Sequence, residues 1–159
     1  VPYYFEGGYD YGRLQKITEG WRGQIPYYSV VHGGAIHMLD LICWLSDKKV
    51  MRVQAVGTGL ATRHTQYQRQ DLVSALLELE DGSVGKVSAN FASMVPHHHK
   101  LCVYGTKGTF EQSHRGAGYF WDRDPQAQPE QVSSAYPGTA KGDMLSSFPD
   151  LHVTILPLN

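Results

Sequence analysis

One stretch of nearly continuous apolar residues, Gly34 to Leu45, is the strongest helical signal in the chain. Its length favours a helix over a buried strand. Because apolar side chains occupy almost every side of it, the helix is expected to be buried on most of its faces. The pair Ser46-Asp47 is expected to end the helix.

Downstream of this helix, apolar and polar positions alternate as they do in half-buried strands. Asp81-Gly82 is a hairpin signal between two such runs, and Gly105 to Gly108 is a second turn. In the returning strand of the first hairpin, Val87, Ala89 and Phe91 should share one face. The predicted strands cover 50–62, 71–80, 84–93, 100–104, 109–112 and 119–122.

Other segments show little periodicity. Residues 1–12 are rich in glycine and aromatic residues and predict a loop or a short edge strand. Asp10 is a candidate cap for a short helix over 11–19. The polar segment 63–70 predicts a mobile loop. Residues 123–142 predict a long surface loop, and a short helix is expected near 142–147.

Helices followed by consecutive hairpins predict the α+β class. The expected architecture is an open, mainly antiparallel β-sheet with helices on one face. The 159 residues suit one domain, with or without a tail. The chain starts at Val1 rather than Met, which suggests a piece of a longer protein.

Composition excludes several classes of partner. Fourteen basic and 15 acidic residues leave a net charge of −1, which argues against a nucleic-acid surface. His37 and Asp40 interrupt the longest apolar stretch, so no membrane span is expected. Cys43 and Cys102 lie in apolar runs, which favours two free thiols in a reducing compartment, the cytoplasm.

His37 and Asp40 are the polar residues of the apolar helix that carry candidate chemistry. They are three positions apart and therefore share a helical face. In one interpretation they satisfy each other by hydrogen bonding. In the other, His37 lies in the first helical turn, where the helix dipole keeps the imidazole neutral and able to act as a general base. Asp40 would then hold its tautomer or bind a substrate hydroxyl.

Four segments together resemble the glucose–fructose oxidoreductase/inositol dehydrogenase (Gfo/Idh/MocA) family. They are GGAIHMLDLICWL, the hairpin LLELEDGSVGKVSANF, the strand-turn-strand VYGTKGTF, and YDYGRLQKITEGWRG ahead of the helix. The resemblance covers residues 1–150 and points to the second domain of these proteins. The tail 151–159 does not match the family pattern.

The resemblance implies a function shared between two domains. An N-terminal Rossmann domain, absent from this chain, would bind NAD or NADP. Residues 1–150 would form the substrate-binding and oligomerisation domain. The reaction would transfer hydride between a sugar or polyol and nicotinamide, with His37 and Asp40 as the catalytic residues. By itself this chain would bind no cofactor and be inactive, and its sheet face would form a homodimer or tetramer.

The resemblance also marks one departure from the family pattern. Many members carry an Asp four residues before the catalytic His, where this chain has Gly33. Asp40, His32 and a tyrosine, Tyr27 or Tyr28, are candidates to replace it.

Further candidate substrate-binding residues come from residue chemistry. Trp21 can stack on a sugar ring, and Arg13 can anchor an acidic sugar. The run His97-His98-His99 fits solvated histidines at a strand end, or a contact of His97 with sugar hydroxyls at a pocket mouth. Adjacent strand residues point to opposite faces, so no metal site is expected there.

Gly57-Thr-Gly59 fails as a dinucleotide motif, because Thr62 stands at the third glycine position and no helical pattern follows. The alternative function is a stand-alone, non-enzymatic module for dimerisation or small-ligand binding. In that alternative the fold is the same, but the protein catalyses no reaction.

Overall fold

The computed structural model describes residues 1–132, and the expectations for 142–147 and for the tail 151–159 lie outside them. Eight strands form one sheet: β1 (Pro2–Asp10), β2 (Val50–Thr58), β3 (Leu72–Leu79), β4 (Val84–Asn90), β5 (His98–Gly105), β6 (Thr109–Ser113), β7 (Gly116–Phe120) and β8 (Glu130–Val132). Two helices accompany them: α1 (Gln15–Thr18), which is a single turn, and α2 (Ile36–Ser46). A 3₁₀ turn covers Trp21–Gln24, and a π-helical turn, Val31–Ala35, leads directly into α2.

The strand order is β2-β3-β4-β1-β5-β6-β7-β8. Every neighbouring pair is antiparallel except β1 and β4, which run parallel. Helix α2 packs against β1 and β4 on one side of the sheet. The α+β class and the open, mainly antiparallel sheet are therefore confirmed.

Strand β1 corrects the prediction for residues 1–12. It is a central strand between β4 and β5 rather than a loop or an edge. Gly7 shows why the sequence misled: a Cβ there would lie 2.9 Å from the Cβ of Met38. Glycine thus lets α2 approach the sheet at this point, although glycine within a strand weakens the strand pattern.

Helix α2 is less buried than its composition predicts. Met38 and Ile42 face the core, whereas Ile36 is 45% and Trp44 75% exposed. The prediction of burial on most faces is therefore wrong for the described residues. Asp47 ends the helix in the left-handed conformation, with φ of 53°, and its N–H donates to the carbonyl of Cys43.

The connections also differ from the predictions. Asp10 belongs to β1, so it caps no helix, and only Gln15–Thr18 of the predicted helix 11–19 forms. The short strand predicted at 119–122 is β7, which begins earlier, at Gly116. Strand β8 interrupts the loop predicted over 123–142. Within residues 1–132 no helix is long and apolar enough to cross a membrane.

The segment predicted as a mobile loop, 63–70, is tied to the core. Tyr67 is buried within it. At its end the buried Asp71 carboxylate accepts hydrogen bonds from the Thr62 N–H at 2.8 Å and the Thr62 hydroxyl at 3.0 Å. The Gln66 amide donates to the Thr18 carbonyl at 2.6 Å. Hydrogen bonds to a buried carboxylate are costly to break, so these contacts hold the segment in place.

Candidate active-site cleft

A cleft of about 540 Å³ opens between α2 and the ends of β1 and β5. Helix α2 contributes His37 and Asp40 to it. The sheet contributes Tyr9 from β1 and two histidines at the start of β5. Its full lining is Tyr9, His37, Met38, Asp40, Leu41, Trp44, His97 and His99. One helical face and one end of the sheet thus bring the polar groups of three separate segments together.

Tyr9 lies at the centre of this arrangement. Its ring stacks on His37 with 5.6 Å between centroids and an interplanar angle of 26°. The same ring lies 5.2 Å from His97 and 4.9 Å from His99. On the core side Tyr9 packs on Phe91, which in turn contacts Tyr11 at 4.7 Å. The buried aromatic core therefore supports the floor of the cleft.

His97 and His99 are held in the neutral form. Burial lowers the pKa of His97, and the positive charge of Arg13 lowers it further. A 3.3 Å contact between His97 Nδ1 and the Asp10 carbonyl acts in the opposite direction. Burial also lowers the pKa of His99, helped by the proximity of His97 and His37. The buried His99 Nε2 has no hydrogen-bond partner among the described residues. Neutral imidazoles can both donate and accept hydrogen bonds.

These shifts predict a loss of stability on acidification. The unfolded chain binds protons at His97 and His99 near pH 6.5, whereas the folded chain does so only at lower pH. Protonation therefore favours the unfolded state as the pH falls below about 6.5. We expect Tm to decrease between pH 7.5 and 5.5, and His99→Gln to flatten that dependence.

The matched control is His64→Gln, because it removes a solvent-exposed histidine instead of a half-buried one. Thermal unfolding followed by circular dichroism across this pH range measures the effect. A His99→Gln slope equal to that of His64→Gln would contradict the prediction.

His37 and Asp40 both line the cleft, and no hydrogen bond joins them in the described structure. Their mutual satisfaction, one of the two interpretations, is therefore absent from this conformation. His37 does not lie in the first turn of the helical run, because the π-helical turn begins at Val31. The argument from the helix dipole is wrong for this position, since that effect fades within one turn.

Most of the other sequence candidates lie outside the cleft. Only His97 lines it, and the remaining five are Arg13, Trp21, Tyr27, Tyr28 and His32. The Arg13 guanidinium lies 5.3 Å from the Tyr11 ring, next to the aromatic floor. Trp21 is exposed and carries the Arg22 guanidinium 4.4 Å above its ring. His32 is also exposed, and its Nδ1 lies 3.0 Å from the Ser29 hydroxyl.

Tyr28 is half-buried beside Gly33. A Cβ at position 33 would overlap the Tyr28 hydroxyl and would lie 2.6 Å from its Cζ. Phe91 Cζ would be the next atom, at 3.2 Å. The phenol therefore fills the space that a larger residue 33 would need, and any side chain there would displace it.

Tyr9, His99 and Trp44 are cleft residues that the sequence analysis did not select. Tyr9 lies in residues 1–12, which were predicted to form a loop or a short edge strand. His97 and His99 are two apart, so they share a sheet face. That spacing was the available signal, but the predicted strand started only at residue 100. The strand-end histidines are half-buried rather than solvated.

Neither the histidine run nor the Gly57-Thr-Gly59 segment forms a metal or dinucleotide site in residues 1–132. Within residues 1–132, no group of three or more His, Cys, Asp or Glu side chains is arranged to hold a metal ion. Gly57-Thr-Gly59 ends β2 and continues into turns rather than a helix. This segment therefore lacks the helix N-terminus that binds a pyrophosphate.

Comparison with known protein families decides the relationship. Residues 2–111 match the family model described as the GFO/IDH/MocA C-terminal domain. The chain belongs to this family. The Gfo/Idh/MocA resemblance inferred from its motifs is thereby confirmed, and the match covers α2 and β1 to β5 entire.

Solved structures share the fold of this Gfo/Idh/MocA domain. UDP-N-acetylglucosamine 3-dehydrogenase GnnA from Acidithiobacillus ferrooxidans is 18% identical with a TM-score of 0.69, covering 91% of this chain and 42% of its own. A putative oxidoreductase from Thermotoga maritima is 17% identical with a TM-score of 0.70, covering 93% and 45%. Levoglucosan dehydrogenase is 18% identical with a TM-score of 0.67, covering 84% and 41%, and its structures include a complex with NADH and levoglucosan.

This chain therefore spans less than half the length of these solved structures. A search of curated proteins found no match to the sequence.

Proposed function

We propose that this chain is the substrate-binding half of an NAD(P)-dependent sugar or polyol dehydrogenase. The observation that carries the proposal is the cleft that His37 and Asp40 both line, with the His37 ring stacked on Tyr9. The sugar dehydrogenases among the structural neighbours support the same class of reaction. Free thiols at Cys43 and Cys102 support a reducing compartment, the cytoplasm.

The cleft residues divide into a proton acceptor, hydroxyl ligands and apolar walls. His37 accepts the proton of the reacting hydroxyl as the carbon gives up its hydride. Asp40 accepts a hydrogen bond from a neighbouring hydroxyl. Trp44, which is 75% exposed, offers an aromatic face for the C–H groups of a sugar ring, while the buried Tyr9 ring supports His37 from behind. Neutral His97 donates to or accepts from further hydroxyls.

Four more residues support the site from its margin. The Tyr28 hydroxyl takes the place of the family Asp at position 33, because it fills that space. Arg13, Trp21 and His32 lie outside the cleft lining, and we assign to them contacts with parts of the substrate that project from the cleft. Their exposure leaves them available for such contacts.

The hydride acceptor is the nicotinamide of NAD or NADP, which another domain holds. The described residues form no dinucleotide loop, since Gly57-Thr-Gly59 leads into turns. Ile36, Trp44 and Leu45 leave apolar surface exposed beside the cleft, which suits coverage by a further domain. This chain alone is therefore inactive as a dehydrogenase.

The sheet face opposite α2 forms the homodimer or tetramer. Leu72, Leu76 and Val84 share this face, and Leu76 is 51% exposed. At its centre Glu6 accepts hydrogen bonds from Lys86 at 3.2 Å and Lys100 at 3.1 Å, so the charges there are paired within the chain. A monomer by light scattering contradicts this part of the proposal.

The test separates binding from turnover in the purified chain. D-Glucose and myo-inositol are titrated while NMR follows the histidine ring protons, and we expect shifts at His37, His97 and His99. His37→Ala should weaken binding, whereas His64→Ala, on an exposed turn, should not. The chain mixed with either sugar and NAD or NADP should form no reduced cofactor.

Two results contradict the proposal in different ways. Reduction of NAD or NADP by the pure chain contradicts its inactivity. Absence of histidine shifts with every sugar and polyol contradicts its role as the substrate-binding half.

A further inference from the structure

We infer that the sugar site continues past His97 and His99 into a second cavity that holds a neutral second sugar unit. The substrate is then a glycoside or disaccharide rather than a free monosaccharide. This inference rests on the proposed function and names its substrate class.

The second cavity adjoins the cleft along a shared wall. It measures about 330 Å³, and His97 and His99 line both spaces. Beyond these histidines, strands β6 and β7 contribute Gln112, Ser113 and Ala117. A substrate whose reacting ring lies beside His37 therefore has a built space into which a ring substituent can extend.

Small residues keep the floor of this second cavity open. Gly116 adopts φ of +124°, which L side chains rarely adopt, and a Cβ there would meet only Gln131 Oε1, at 3.9 Å. Ala117 is the neighbouring floor residue, and it pairs with Gln112 across the strands. A bulkier side chain at position 117 would take up the space assigned to the second sugar.

The chemistry of the lining selects a neutral group. Among residues 1–132, no Lys, Arg, Asp or Glu lines the second cavity, and the third lining histidine, His98, has its Nε2 3.6 Å from the Asp10 carboxylate. Gln112 offers amide donors and an acceptor, and the Ser113 oxygen accepts from the Arg115 N–H at 3.2 Å while its own proton stays free to donate. Burial lowers the pKa of the two shared histidines, so they remain neutral. Such a lining suits hydroxyl groups and provides no cation for a diphosphate.

The test compares four probes on the full chain. They are D-glucose, the disaccharides cellobiose and maltose, and UDP-glucose, each titrated by NMR. We expect at least one disaccharide to bind about tenfold more tightly than glucose, and UDP-glucose to show no such gain. Ala117→Leu should remove the disaccharide advantage and leave glucose affinity within about twofold.

Two further variants keep the result interpretable. Gln112→Leu removes the hydrogen-bonding group without adding bulk to the floor, so it should also reduce the disaccharide advantage if Ala117→Leu unfolds. Ala127→Leu, the same substitution on an exposed turn, should change neither affinity.

The failure modes are distinct. Glucose binding without a disaccharide gain, an equal effect of Ala117→Leu on both sugars, or a preference for UDP-glucose overturns the inference and leaves the proposed function standing. If no sugar binds, the proposed function fails together with the inference.

Discussion

Under the proposed function, replacing His37 by Ala in a two-domain protein that contains this chain is expected to lower kcat for sugar oxidation by about 10²–10⁴-fold. Loss of a positioned general base has this magnitude. The ring stacks on Tyr9 at 5.6 Å and faces the cleft, so its removal takes away the proton acceptor without opening the core. Steady-state kinetics on the enzyme that carries both domains measures the effect.

A purely structural role for His37 predicts different behaviour. With a lost base, added imidazole should restore part of the rate, whereas it would not repair a structural defect. The matched control is His64→Ala, because His64 is exposed and its Nε2 accepts a hydrogen bond from Arg63 Nε at 2.9 Å. If His37→Ala retained kcat within threefold, another group would have to be the base.

Replacing Phe91 by Ala is expected to reduce the free energy of unfolding by about 3–5 kcal/mol, the usual cost of emptying a buried aromatic site. Phe91 is 1% exposed and packs between Tyr9 and Tyr11. It also lies against Gly34, where a Cβ would be 2.9 Å from Phe91 Cε1. The backbone at Gly34 therefore already packs close to Phe91, and it can collapse only partly into the cavity that Phe91→Ala leaves.

Urea unfolding of purified variants measures this loss. Phe120→Ala serves as the control, since Phe120 is 38% exposed and should lose much less. Sugar affinity should fall with Phe91→Ala as well, because the Tyr9 ring loses its support. A loss below about 1 kcal/mol would show that Phe91 does not anchor the core.

The hairpins were predictable because their signals are local. Asp81-Gly82 specifies its own turn, and Gly82 adopts the positive φ, +83°, that the turn needs. The face shared by Val87, Ala89 and Phe91 also follows from strict alternation. Strand β1 was not predictable in this way, because the reason for Gly7 is the close approach of Met38 from a distant segment of the chain.

The candidate site was likewise predictable only where its signal is local. The spacing of His37 and Asp40 placed both on one helical face, and the structure turns that face to the cleft. The opposite wall of the cleft depends on the order of the strands in the sheet, and this order cannot be read from the pattern of apolar and polar residues. Tyr9 meets His99 because β1 and β5 are neighbours and pair these two residues.

The central position of β1 also constrains how the protein is made. Tyr4 pairs with Val84, about 80 residues later in the chain. At a synthesis rate of about 5–20 residues per second, β1 waits on the order of 4–16 s for its first partner to leave the ribosome. During that interval its aromatic residues lack their sheet neighbours and are open to chaperones. The emergence of β5, which pairs His99 with Tyr9, therefore determines when the cleft can form.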